Sequence, residues 1–114
     1  MALPPLVRQL VEKKMKKYCE EKIPYELLEK IRVKYRVRGN SVTLIESRPY
    51  WDDPSDWSNM AIAQFRYDPE NKTWTLYCAD RNNRWHLYID TESTPNLDDL
   101  LKEVDKDPTG IFWG

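Results

Sequence analysis

The sequence predicts an α+β fold, an antiparallel meander of about five strands with N-terminal helices and a C-terminal helix packed on one face. Three observations predict it. Apolar residues recur at helical spacing near both chain ends. Between Ile31 and Asp90 the period switches to two. Gly, Pro, Asn and Asp punctuate that stretch where turns are needed.

The first helix is expected from about Pro5 to Glu21. Pro4 and Pro5 suit a first turn, and Leu6, Val7, Leu10, Val11, Met15 and Tyr18 follow at helical spacing. Lys13, Lys16 and Lys17 fall on its outer face. Pro24 interrupts, and Pro24 to Lys30 reads as a second, short helix with Leu27, Leu28 and Ile31 facing in. Ile31, Val33, Tyr35 and Val37 then alternate with Arg32, Lys34, Arg36 and Arg38, a half-buried strand with a wholly basic outer side. Gly39-Asn40 is a hairpin turn into a second strand, Ser41 to Ser47.

A third strand is expected from about Asn59 to Tyr67, with Ala61, Ala63, Phe65 and Tyr67 on one face. Asp68 to Lys72 is a turn into a fourth, Thr73 to Ala79, and Asn82-Asn83 leads to a fifth, Arg84 to Asp90. Thr94 and Pro95 start a last helix whose Leu97, Leu100, Leu101 and Val104 stand at i, i+3, i+4 and i+7. Pro108 stops it, and the apolar tail Ile111-Phe112-Trp113-Gly114 is expected to dock on the core.

The chain has 114 residues, the length of one domain spanning residues 1–114. A hydrophobic share of 40% against 32% charged residues suits a soluble protein with a core. Five Trp and seven Tyr bring large apolar areas. With three Gly, a phosphate-cradling glycine loop is not expected. No apolar run approaches the roughly 20 residues that span a membrane. The N-terminus lacks the basic-then-apolar pattern of a secretion signal. The expected compartment is therefore the cytoplasm, with no membrane partner. Cys19 and Cys78 read as reduced, buried thiols. With His86 the only histidine, neither a metal nor a cofactor is expected.

The net charge of −1 hides an asymmetry: residues 1–38 hold 11 Lys/Arg and 5 Asp/Glu, and residues 39–114 hold 7 and 14. The basic half can meet an external anion, the acidic half of its own fold, or a second copy.

The run Glu46-Ser47-Arg48-Pro49-Tyr50-Trp51-Asp52-Asp53-Pro54, the run Arg84-Trp85-His86-Leu87-Tyr88 and the ending Phe112-Trp113-Gly114 together resemble the bacterial domain-of-unknown-function family 3024 over nearly the whole chain. The resemblance implies a compact stand-alone bacterial domain and no particular activity.

Three groups of residues are candidates for function. Glu46, Asp52, Asp53 and His86 would form a small hydrolase-type site if the strands bring them together. The structural alternative pairs Arg48 with Glu46 and uses Asp52 or Asp53 to cap the turn before Pro54. The second group is the sheet's outer side, where Arg32, Lys34, Arg36 and Arg38 stand together. Tyr77 joins them if Trp74 and Leu76 face in, and Arg84, His86 and Tyr88 join if Trp85, Leu87 and Ile89 face in. Such a surface suits single-stranded nucleic acid, with Glu46 and Asp90 as candidate internal counter-charges. The third group is Trp51, Trp57 and Trp113, in loops or the tail, with Asp52 and Asp53 beside the first two and Arg48 nearby, a contact surface for a protein partner or for the basic first helix and first strand of a second copy. The expected function is a non-enzymatic binding module with a protein partner or self-association. Nucleic-acid binding is the alternative, and the hydrolase-type site is a further one.

Overall fold

Residues 2–113 are described by a computed structural model. Helix α1 runs Pro5–Lys22, starting on two prolines that need no amide partner there. It ends because Ile23 precedes Pro24 and is held extended (φ −113°, ψ 124°). Its buried stripe is Val11 and Met15, with Val7, Tyr18 and Cys19 beside them. Leu6 and Leu10 are exposed, so the inward face is narrower than the spacing predicts. The expected second helix is reduced to a 3₁₀ turn, Tyr25–Leu27, with Leu27 exposed. The segment is too short and too polar to bury a helical face of its own.

The strands are β1 Arg32–Arg38, β2 Ser41–Pro49, β3 Trp57–Asp68, β4 Thr73–Ala79 and β5 Trp85–Leu87. They form one sheet in the order β1-β2-β3-β4-β5, antiparallel throughout, which is the expected meander. Gly39 turns β1 into β2 with φ 58°, the left-handed value that a first central hairpin position demands and glycine takes freely. Asn83 does the same before β5 with φ 62°.

Pairing register sorts side chains into cross-strand rows. Val37, Val42, Phe65 and Leu76 form one row, and Tyr35, Leu44, Ala63 and Cys78 the next. These residues join Val11 and Met15 in one hydrophobic cluster with Leu97, Leu100, Leu101 and Val104 of helix α2, Leu97–Lys106. Both helices therefore cover the same face, α1 over β1 and α2 over β3 and β4. Among the described residues no helix lies on the opposite face.

Three expectations on these elements are corrected. β3 carries a bulge: Leu44 pairs with Ala63 and Ile45 with Ala61, so the intervening Ile62 is extra and Ala61 faces away from Ala63. Small alanines on both sides of Ile62 give the pattern no phase to hold. α2 is capped by Asn96, whose side chain accepts from the Asp98 amide, rather than by Thr94. Thr94 instead exchanges two backbone bonds with Trp74 at 2.7 and 3.0 Å, continuing the pairing along the β4 edge that β5 begins.

The third correction concerns β5. It spans three residues, and its alternation runs in the opposite phase to the one needed to put His86 and Tyr88 outward. Tyr77 pairs with Leu87 and Ala79 with Trp85, so Trp85 and Leu87 share the helix-free face. Tyr88 is 4% exposed and packs on Phe112 with ring centroids 5.1 Å apart. A one-residue shift moves every side chain to the other face, and an aromatic stands in either phase here.

The tail docks through its own capping residue. Asp107 ends α2 in the left-handed region (φ 43°), and its carboxylate accepts from the amides of Phe112 and Trp113 at 3.0 and 2.8 Å. Phe112 is buried, Lys22 lies 4.6 Å from the Trp113 ring, and Ile111 stays exposed. Gly114 lies outside the described residues.

Candidate functional site

The candidate site is the helix-free face of the sheet. Because Val33, Tyr35 and Val37 are drawn to the core, Arg32, Lys34, Arg36 and Arg38 emerge together on the other side. Successive members stand about 6.7 Å apart at two residues per repeat. The register extends them into rows: Arg38-Ser41-Arg66-Thr75, Arg36-Thr43-Gln64-Tyr77-Leu87, Lys34-Ile45-Ala61 and Arg32-Ser47-Asn59. The long cationic stems cover the middle, so Thr43, Ile45 and Ser47 are buried although no helix lies over them. A depression of about 330 Å³ opens between Lys34, Arg36, Ile45 and Asn59.

Five cations thus share this face, the fifth being Arg66 of β3. Among the described residues none of them forms an ion pair. One carboxylate, Asp68, stands at the margin opposite Thr73. It is occupied by its own turn, accepting from the Asn71 side chain at 2.7 Å and the Glu70 amide at 2.9 Å. Those bonds, the Asn71 side chain first, hold its carboxyl below the usual range.

Two aromatics on the face lie under arginines. The Arg32 guanidinium carbon is 4.4 Å from the Trp57 ring centroid, and that of Arg66 is 3.8 Å from Tyr77. Arg32 also donates through Nε to the Leu28 carbonyl at 3.0 Å, and Arg66 through Nε to Gln64 Oε1 at 2.7 Å. Gln64 in turn donates to Thr43 Oγ1 at 3.0 Å. Both guanidinium groups are therefore held at their inner nitrogen.

The remaining charges are placed elsewhere. Lys14 pairs with Asp98 and Lys22 with Asp105, and Tyr18 donates to Asp105 at 2.6 Å. The basic helix thus meets the acidic one inside the same chain, across a groove of about 540 Å³. Burial, then the bond to Asp105, pushes the Tyr18 hydroxyl pKa up. Burial, then the Glu20 carboxylate, pushes the Cys19 thiol up to about 11, and burial raises Cys78. Both cysteines are free, and neither is poised as a thiolate nucleophile.

The carboxylate and histidine candidates are not brought together. Glu46 follows Val33 on the helix-bearing side, where Arg48 two residues on reaches it at 2.5 Å. It therefore cannot balance the cations of the opposite face. Asp53 caps its turn by accepting from the Ser55 amide and hydroxyl, and Asp52 is exposed in the same loop. His86 stands opposite Cys78 on the helix-bearing side, bound through Nε2 to Asp80 Oδ2 at 2.7 Å. Asp80 also accepts from the amides of Asn82 and Arg84, and these bonds, that of His86 first, hold its carboxyl low. Two strands, β3 and β4, separate Glu46 from His86, roughly 14 Å of sheet. Of the described cavities none is lined by Glu46, Asp52, Asp53 or His86.

The other candidates divide likewise. Trp57 is on the open face, Trp51 projects from the β2–β3 loop at 93% exposure, and Arg84 sits in the turn before β5. Arg48 lies on the Glu46 side, and Tyr88 is in the core. Arg66 escaped the sequence reading, although its alternation with Phe65 and Tyr67 marks it as outward. Trp85 escaped it through the inverted phase of β5.

Fold and site together define a small α+β domain with one helix-covered and one open, cation-bearing sheet face. The chain matches the family described as Domain of unknown function (DUF3024) over residues 3–114, and it belongs to that family. No curated protein and no solved structure shows significant similarity to it.

Proposed function

We propose that this chain is a non-enzymatic binding module that holds single-stranded nucleic acid on the open face of its sheet. The observation that carries the reading is the set Arg32, Lys34, Arg36, Arg38 and Arg66, five cations on one face with no carboxylate partner among the described residues. Unpaired like charges at such spacing repel one another, and an incoming polyanion relieves that repulsion. The overall charge of −1 does not oppose this. The helix carboxylates lie on the other side of the sheet, about 10 Å through the layer. At physiological salt the screening length is about 8 Å, so their field is weak at the open face. The proposed compartment is the cytoplasm, where free thiols such as Cys19 and Cys78 stay reduced. No helix among the described residues is long and apolar enough to cross a membrane.

The test is fluorescence anisotropy of a labelled oligothymidine of about twelve nucleotides. With five phosphates engaged, the slope of log affinity against log salt is about −3.5, roughly a hundredfold loss between 50 and 200 mM. Absence of binding at 50 mM salt contradicts the proposal.

A second reading, a protein partner, is favoured by Trp51, 93% exposed beside Asp52 and Asp53 at the hairpin tip. The same tip docking on the basic helix of a second copy has less support, since Lys14 and Lys22 already have partners within the chain.

A further inference from the structure

We infer that the open face takes nucleobases as well as phosphates, stacking them at two arginine–aromatic pairs, Arg32–Trp57 and Arg66–Tyr77. The inference rests on the nucleic-acid reading and deepens it by naming where the bases stack and how long a strand is engaged. Each pair presents a ring, or a guanidinium plane lying over that ring, and both are surfaces on which unpaired bases stack. In each pair Nε is already bonded, to Leu28 or Gln64, which orients the group. The terminal nitrogens make no hydrogen bond among the described residues and remain able to meet a phosphate or a base edge. Trp85 and Leu87 widen the apolar surface beside Tyr77, with Leu87 directly opposite it on β5.

The spacing of the pairs sets a length. Trp57 and Arg66 lie on the same strand nine residues apart, one of them taken up by the Ile62 bulge, which gives roughly 25–30 Å. A stacked single strand at about 3.4 Å per nucleotide covers this in about eight nucleotides, and a stretched one in about half as many. The cations between the two ends, Lys34 and Arg36, lie two strands to the side of β3, about 10 Å, where a phosphate backbone would run while its bases turn toward β3 and β4. A duplex keeps its bases paired and cannot offer them to either pair.

The experiment compares four probes at about 50 mM salt. They are oligothymidine of about twelve nucleotides, its abasic counterpart with the same phosphates, the matching duplex, and a series of shorter oligothymidines. The expected result is that the abasic strand binds roughly a hundredfold more weakly than oligothymidine, and the duplex more weakly too. Affinity should rise with length to a plateau near about eight nucleotides. Trp57→Ala and Tyr77→Ala should each cost roughly tenfold, and Trp57→Phe and Tyr77→Phe, which keep a ring and the sheet packing, much less. If oligothymidine and the abasic strand bind alike, and both alanine variants match the parent, stacking is overturned while the electrostatic reading stands. If neither probe binds, both fall together.

Discussion

Replacing Arg32, Lys34, Arg36 and Arg38 together by Gln flattens the salt dependence of oligonucleotide binding from a slope of about −3.5 to about −0.7. The parent loses roughly a hundredfold in affinity between 50 and 200 mM salt, and the variant only about threefold, the remainder belonging to Arg66. The reason lies in the register. These four side chains alternate with the buried or half-buried Val33, Tyr35 and Val37, so the strand that anchors α1 also lifts every one of them onto the open face. No carboxylate among the described residues competes for them. They are exposed, and Gln keeps part of the stem that covers Thr43, Ile45 and Ser47, so the fold should be perturbed by about 0.5–1 kcal/mol per site, most at Arg32, which also holds the Leu28 carbonyl and the Trp57 ring. A variant that folds normally and keeps the parent's salt slope would locate binding elsewhere.

Phe65→Ala should be the most damaging single change to stability, costing about 3–5 kcal/mol in a urea titration. Phe65 is fully buried at the centre of the row Val37-Val42-Phe65-Leu76, beneath the helices. Small domains hold only about 5–15 kcal/mol in all, so much of the folded population is at stake. Phe65→Leu keeps most of the volume and should cost less than about 1.5 kcal/mol. The site depends on this row indirectly. Gln64 and Arg66 flank Phe65 and point the other way, so the buried ring fixes the phase that aims both at the open face. A loss below about 1 kcal/mol for Phe65→Ala would mean that the ring does not fill the core.

The sequence carries some of this directly, and physical reasons separate what is legible from what is not. The meander is legible because period-two runs are joined by short turns, two of them marked by Gly39 and Asn83 at positive φ. The leucine spacing of α2 is legible for the same reason, since all four predicted positions are buried. The strip from Arg32 to Arg38 could be read because one strand's alternation is a local property. Features that depend on pairing could not. The Arg32–Trp57 contact joins β1 to β3, and the Arg66–Tyr77 contact joins β3 to β4; each needs a register that no single strand encodes. The bulge at Ile62 hides between two alanines. The phase of β5 was settled by Phe112 arriving from the far end of the chain to cover Tyr88. The charge asymmetry is visible in composition, but its resolution is tertiary. Lys14 and Lys22 of α1 are matched by Asp98 and Asp105 and Arg48 by Glu46, while among the described residues Arg32, Arg36, Arg38 and Arg66 of the open face form no ion pair.

The open sheet face is the proposed binding surface. Its most direct test is a two-dimensional amide NMR titration of the labelled protein with oligothymidine. Shifts are expected at Arg32 to Arg38, Gln64, Arg66 and Tyr77, with the α1–α2 groove around Lys14 and Asp98 unmoved. Shifts confined to that groove, or to the hairpin tip around Trp51, would contradict it.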